Sequence, residues 1–157
     1  MLIAVVSDTH RVDKYIEAVK KIIEEADVLI HLGDNIEDAE YLEREFKGEV
    51  YIVSGNCEFS RKYPKDRLIE IEGKRIFMTH GDLYAVKVGL NSIYYKGREV
   101  EADIALFGHT HQALIEKTNE LILMNPGSTS LPRLSKRSVG FIKIDEGEVE
   151  IYLKEIE

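Results

Sequence analysis

Leu2-Ile3-Ala4-Val5-Val6 is an almost wholly apolar run that breaks at Ser7-Asp8-Thr9-His10. A run of that length and composition reads as a strand covered on both faces, not as one alternating between core and solvent. After it, Val12, Tyr15, Ile16, Val19, Ile22, Ile23 and Ala26 recur at helical spacing and predict an amphipathic helix of about four turns. A second apolar run, Val28 to Leu32, ends at Gly33-Asp34-Asn35. Ile36, Ala39, Leu42 and Phe46 then mark a second, more acidic helix, and a third run, Val50 to Val53, ends at Ser54-Gly55-Asn56-Cys57-Glu58. This strand-helix-strand-helix-strand order predicts a parallel sheet with right-handed crossovers.

Further along, Phe59 to Arg67 has no apolar period and carries Arg61, Lys62, Lys65 and Arg67 around Pro64, which reads as a loop overhanging a site. Leu68 to Ile71 and Arg75 to Met78 flank Glu72-Gly73-Lys74, a hairpin signal that runs into Thr79-His80-Gly81-Asp82. A helix from about Ala85 to Tyr95, a strand from Asp103 to Phe107 and the turn Gly108-His109-Thr110-His111 follow. The remainder reads as antiparallel strands. Ala113 to Glu116 pairs with Leu121 to Met124 around Thr118-Asn119-Glu120, and Val139 to Ile144 pairs with Val149 to Leu153 around Glu146-Gly147. Asn125-Pro126-Gly127-Ser128 is a turn of small side chains between these hairpins. No repeat, low-complexity tract or linker interrupts residues 1–157, so a single α/β domain is expected, with two packed sheets and helices outside.

Bulk properties narrow the function classes. The chain has 157 residues, 44% hydrophobic and 32% charged, with a formal net charge of -8. That acidity, with no basic aromatic motif, argues against a nucleic acid polymer as partner. A phosphorylated small molecule stays open if bound cations supply the positive charge. The one cysteine, Cys57, fits a reducing compartment. No apolar run approaches membrane-spanning length, and Met1 leads straight into a strand instead of a signal peptide. The expected location is therefore the cytoplasm, with no membrane partner.

The chemistry collects at strand ends. Five strands end in Asp, His or Asn beside a glycine or serine: Asp8 and His10, Asp34, Asn56, His80, and His109 with His111. Ligands of open parallel sheets bind beyond the carboxyl ends of the strands, so these residues converge despite their separation in sequence. Four of the five histidines lie at such ends, which chance placement would rarely produce. The residue types suit a pair of divalent ions, with Asp34 able to bridge them. Asp8, His10 and His111 would complete one side, and Asn56, His80 and His109 the other. A mixed nitrogen and oxygen donor set without thiolate suits Mn, Fe, Zn or Ni better than Ca or Mg. Two such ions about 3.5–4 Å apart lower the pKa of a bridging water and clamp phosphoryl oxygens during in-line attack.

The blocks Asp8-x-His10, Gly33-Asp34, Gly55-Asn56, His80-Gly81 and Gly108-His109-x-His111 resemble those of the calcineurin-like metallophosphoesterases, complete and in order. Asn125-Pro126-Gly127-Ser128 with Pro132-Arg133, and the short length, resemble the small YfcE-type phosphodiesterase branch. The resemblance implies a four-layer α/β/β/α sandwich of two packed mixed sheets flanked by helices. It also implies a dinuclear site, Mn2+ foremost with Ni2+, Zn2+ or Fe2+ as alternatives, held by Asp8, His10, Asp34, Asn56, His80, His109 and His111. The implied reaction is hydrolysis of a small phosphodiester by a metal-bridging hydroxide. Asp34, Asn56, His80 and His109 would be catalytic, with His10 and Asn56 contacting substrate; Arg133 reads either as a grip on a substrate phosphate or as a surface arginine after a proline. Two other readings remain open: a phosphomonoesterase built on the same metal core, and a non-catalytic interaction scaffold similar to the retromer small subunit. Tyr94 and Tyr95 would be the place to look for a partner or a homo-oligomer contact.

One position departs from the family pattern. Many members place a histidine after the block asparagine, where it helps protonate the leaving group; here the residue is Cys57. A thiol, of usual pKa about 8.5, is a poor acid near neutrality. A good leaving group, or a proton from metal-bound water, is then expected. The small branch often carries cysteine there, and with no adjacent base Cys57 reads as lining the site and not as a nucleophile. His31 reads first as a buried, hydrogen-bonded histidine of the sheet and second as a support for Asp34. Glu58 and Asp82 read either as supports for ligands or as loop charges, and Arg61, Lys62 and Lys65 as a solvated face or an attractor of anions.

Overall fold

The first strand, β1 (Leu2–Val6), divides its side chains by parity. Ile3 and Val5 enter one apolar cluster with Ile76, Met78, Ile104 and Leu106. Ala4 and Val6 enter another with Ile16, Val19 and Leu42. A strand covered on both faces needs a layer on each side, and those two clusters identify the layers. In this computed structural model, which describes residues 1–58 and 62–157, the chain continues through α1 (Asp13–Ile22), β2 (Val28–His31), α2 (Ile36–Glu45) and β3 (Glu49–Ile52). It then forms β4 (Asp66–Ile71), β5 (Lys74–Thr79), α3 (Asn91–Glu99), β6 (Ile104–Leu106), β7 (Leu114–Lys117), β8 (Ile122–Asn125), β9 (Ser138–Asp145) and β10 (Glu148–Glu155).

Two five-stranded mixed sheets result, ordered β10-β9-β1-β2-β3 and β4-β5-β6-β8-β7. In the first, β1, β2 and β3 are parallel, with Ile3 opposite Val28 and Val28 opposite Glu49. In the second, β5, β6 and β8 are parallel, with Ile76 opposite Ile104 and Ile104 opposite Ile122. The sheets share the Ile3 cluster between them. Helices α1 and α2 cover the outer face of the first sheet. The outer face of the second packs Phe77, Ala105, Phe107 and Leu123 against Ile93 of α3. This is the four-layer α/β/β/α sandwich, and each fully buried aliphatic side chain in it contributes about 1.5–3 kcal/mol.

Three local expectations are corrected. The helix expected over Ala85–Tyr95 is instead a short 3-10 turn, Asp82–Tyr84, followed by irregular chain and then α3. Ala85 adopts a left-handed backbone, φ 50°, which stops any helix there. Val86 and Ile93 of this stretch are both buried. Helix α1 ends after ten residues instead of continuing to Ala26. The chain turns there, and Asp27 accepts a hydrogen bond from the Leu2 amide at 2.7 Å. Arg67, expected in a loop, lies in β4 opposite Met78, with its guanidinium over the Tyr51 ring. Phe59, Ser60 and Arg61 of that expected loop lie outside the described residues.

Candidate metal centre

The parallel strands β1, β2, β3, β5 and β6 all deliver their carboxyl ends to one end of the sandwich, and the polar blocks lie there. The backbone of these loops is unusual. Asp8, His10, Arg11, Asp34, His109 and His111 all have φ between 49° and 70°, a left-handed region that non-glycine residues rarely adopt. Such conformations cost on the order of 1–3 kcal/mol each and persist only where the surroundings over-determine them. Here they are over-determined. The amides of Asp8 and His10 donate to the carbonyls of Gly33 (3.0 Å) and Asp34 (3.3 Å), tying the β1 loop to the β2 loop. From the segment after β8, Ser128 donates to the Asp8 carbonyl at 2.7 Å and Ser130 to that of Thr9 at 2.9 Å.

Asp8 stands at the centre of the cluster and is fully buried. Its Oδ2 accepts from Ser7 Oγ at 2.7 Å and from the His109 amide at 3.1 Å. Its Oδ1 has no hydrogen-bond partner. Three imidazole nitrogens surround that oxygen: Nε2 of His111 at 3.3 Å, of His10 at 3.7 Å and of His80 at 3.9 Å. Asp34 lies alongside, with Oδ2 3.3 Å from His80 Nε2 and 3.9 Å from His10 Nε2. His109 Nδ1 is 3.2 Å from His80 Nε2, and His10 Nε2 is 3.2 Å from His111 Nε2.

The outward nitrogens fix the tautomers. His80 Nδ1 donates to the Leu32 carbonyl and His111 Nδ1 to the Leu131 carbonyl, each at 2.7 Å. A carbonyl only accepts, so in the neutral rings both Nε2 atoms carry lone pairs, and those lone pairs face Asp8. Metal-bound histidines are oriented in this way by a carbonyl on the far nitrogen. Two groups of donors come together closely enough to hold an ion, Asp8 with His10 and His111, and Asp8 with Asp34 and His80.

The electrostatics agree with that donor set. Burial opposes ionisation of Asp8, yet the imidazoles of His10 and His111 and the charge of His80 hold its carboxyl well below the usual carboxylate range. Burial likewise pulls His80 down, but Asp34 and Asp8 outweigh it and raise His80 to about 9. The centre therefore attracts positive charge, as a proton on His80 or as a cation. A buried carboxylate oxygen with no hydrogen-bond partner, faced by three imidazole nitrogens, is expensive without a positive charge beside it. The residues present fit a divalent metal.

Residues 1–147 match the family described as the calcineurin-like phosphoesterase superfamily domain. The chain belongs to that superfamily. It is 36% identical over 150 residues to a probable metallophosphoesterase of Methanothermobacter thermautotrophicus, covering 92% of this chain and 87% of the relative. To the phosphodiesterase YfcE of Escherichia coli it is 30% identical over 125 residues, covering 68% of this chain and 62% of YfcE. These relatives bear out the resemblance read from the five blocks. Wild-type Vps29 of Entamoeba histolytica, solved in complex with zinc, superposes with a TM-score of 0.78 at 18% identity over all of both chains. At that identity the likeness is one of fold.

Within this calcineurin-like phosphoesterase, the structure brings six of the seven expected ligands into mutual contact. The seventh, Asn56, is exposed at the rim, between Gly55, which packs against the Asp34 carboxylate, and Cys57, whose amide donates to Asp34 Oδ1 at 3.0 Å. Arg133 is also exposed, and its backbone amide donates to the His111 carbonyl at 2.8 Å. Cys57 is exposed, and partial burial of the sulfur, with Asp34 beside it, pushes its thiol up to about 11. It is a poorer acid and a poorer nucleophile than a free thiol. Glu58 accepts from the amides of Gly55 and Asp34, so it supports the site and is no idle loop charge. His31 is fully buried between Thr9 and Gly33.

Four supporting side chains escaped the sequence reading. Ser128, Ser130, Asn125 and Asp38 all bond to ligand-bearing loops. Only the run of small polar residues after β8 hinted at them. Asp38 gave no signal, because an acidic residue in the first turn of a helix is ordinary. Its amide is capped by Asn35 at 3.1 Å while its carboxylate reaches across to the Arg11 amide at 2.8 Å.

Proposed function

We propose that this phosphoesterase is a dinuclear, divalent-metal-dependent phosphodiesterase acting on small phosphodiesters. In this reading Asp8, His10, Asp34, Asn56, His80, His109 and His111 hold two ions, Mn2+ foremost, within a single domain working in the cytoplasm. The observation that carries it is Asp8 Oδ1, buried without a donor and faced by three imidazole nitrogens. Bound metals would supply Lewis acidity and an activated water. The chain's own part is positioning: Leu32 and Leu131 orient His80 and His111, the Ser7 hydroxyl and the His109 amide orient Asp8, and the Cys57 amide orients Asp34. In this reading exposed Asn56 and Arg133 and half-buried His10 would contact substrate. Cys57, holding its proton, is a weak donor, so the reading favours esters with good leaving groups.

The test is hydrolysis of bis-p-nitrophenyl phosphate and of the monoester p-nitrophenyl phosphate by metal-stripped protein, with and without added Mn2+. Mn2+-dependent cleavage preferring the diester is expected. Preference for the monoester would overturn the diester assignment and keep the metal chemistry. No turnover of either ester with Mn2+, Ni2+ or Zn2+ would replace the enzyme with a scaffold of the same fold.

A further inference from the structure

His31 lies in none of the five metal-binding blocks, yet it is the fully buried histidine at the point where two of them meet. We infer that His31 is a positioning residue that locks the Asp8-Thr9-His10 loop to the Gly33-Asp34 loop through its two ring nitrogens. The inference rests on the reading of Asp8, His10 and Asp34 as metal ligands. Gly33 donates its amide to His31 Nδ1 at 3.1 Å. An amide can only donate, so Nδ1 accepts and the proton of the neutral ring sits on Nε2. That proton is donated to Thr9 Oγ1 at 3.2 Å. Thr9 is itself fully buried and lies between the two ligands of its loop, while Gly33 directly precedes Asp34.

The geometry needs one acceptor and one donor at opposite positions of a rigid plane, in a space closed to water. Neutral imidazole supplies both; an aliphatic residue supplies neither. Both loops hold left-handed residues, Asp8 and His10 on one side and Asp34 on the other. The ring thus restrains backbone that would otherwise relax toward ordinary conformations, and with it the separation of the two carboxylates.

Three variants separate the two bonds. His31→Leu removes both. His31→Asn keeps an acceptor near the Nδ1 position, and His31→Gln keeps a donor near the Nε2 position. Backbone amide hydrogen exchange is measured on metal-free protein, Mn2+ affinity by calorimetry, and Mn2+-dependent turnover of bis-p-nitrophenyl phosphate alongside. In His31→Leu, exchange should speed up at Gly33 and over Thr9 to Arg11 while the strands of the second sheet stay protected. Mn2+ affinity and turnover should fall by about 10–100-fold, the usual effect of losing a partner that orients a metal site. The Asn variant should restore protection at Gly33 alone, the Gln variant over Thr9 to Arg11 alone, and each should recover part of the affinity. Wild-type exchange and affinity in a folded Leu variant would overturn the inference. So would a uniform rise in exchange throughout the protein with Mn2+ affinity intact, the sign of a merely structural histidine. Should the wild type itself bind no Mn2+, the metal reading fails on its own, and the exchange pattern alone upholds or overturns the tie between the loops.

Discussion

At the end of the sandwich where β1, β2, β5 and β6 finish, left-handed residues are Asp8, His10, Arg11, Asp34, His109 and His111, each tied into a crowded network. At the opposite end the hairpin turns Glu72-Gly73 and Glu146-Gly147 also use left-handed backbone, with φ of 51° and 78°, then 49° and 83°. There the cause is local: two successive positive φ angles match the twist of the paired strands. The space around Gly147 is open, whereas a Cβ on Gly108 would collide with Ser7 Oγ and Asp8 Oδ2. The same backbone region serves a turn at one end and imposed ligand geometry at the other. Only the second should be intolerant of added atoms.

Gly108→Ala should therefore show the largest effect. The added methyl must displace Ser7 or Asp8, both fully buried, at a cost of about 1–3 kcal/mol from overpacking. A displaced carboxylate ruins positioning, so Mn2+-dependent diester hydrolysis should drop by at least about 100-fold. Thermal melts and kinetics read the two effects separately. Near-normal turnover would mean that the site end is no tighter than the hairpin end.

Asn125→Ala should come next. The side chain is fully buried; it donates to the Gly108 carbonyl at 3.1 Å and Thr110 Oγ1 at 2.9 Å, and accepts from the Gly127 amide at 2.8 Å. Truncation leaves buried backbone groups unpaired, at a cost of about 3 kcal/mol. It also frees the His109–His111 loop, so activity should fall by about 10–100-fold. A stability loss without an activity loss would confine Asn125 to the fold.

The two ends also differ in how far they could be read from sequence. The hairpins over 71–74 and 145–148 were legible because their turn chemistry is local. The strands feeding the site were legible because both faces are covered, as in Ile3 to Val6. The candidate ligands were legible as types at strand ends. Their supports were not, since Ser130, Asn125 and Asp38 act across separations of 121, 17 and 27 residues that no local pattern records. The helix limit at Ala85 failed for a related reason: alanine favours helix, and the chain around it imposed a left-handed turn.

A smaller effect is expected from acid. Burial pushes His31 down to about 4 from the usual 6.5, so it is neutral in the folded protein. Protonation then favours the unfolded chain. The stability held by the neutral ring is complete above about pH 6.5 and is lost progressively as pH falls toward 4. Metal-free wild type should thus lose more melting temperature between pH 6.5 and 4 than His31→Gln, which takes up no proton. Parallel losses in the two proteins would show that the site end owes no acid sensitivity to this residue.

The smallest effect should come from Gly147→Ala in the open hairpin. Nothing lies within 4 Å of the added methyl, so the only penalty is that of an L-residue at φ 83°. That penalty is about 1–2 kcal/mol for alanine and smaller for asparagine, which tolerates left-handed backbone. Gly147→Asn should recover most of the melting temperature that Gly147→Ala loses, and both should hydrolyse the diester at the wild-type rate. If the alanine variant instead lost activity in step with stability, the hairpin end would be coupled to the ligand loops. The distinction between a turn that needs left-handed backbone for itself and loops that hold it for a metal would then fail.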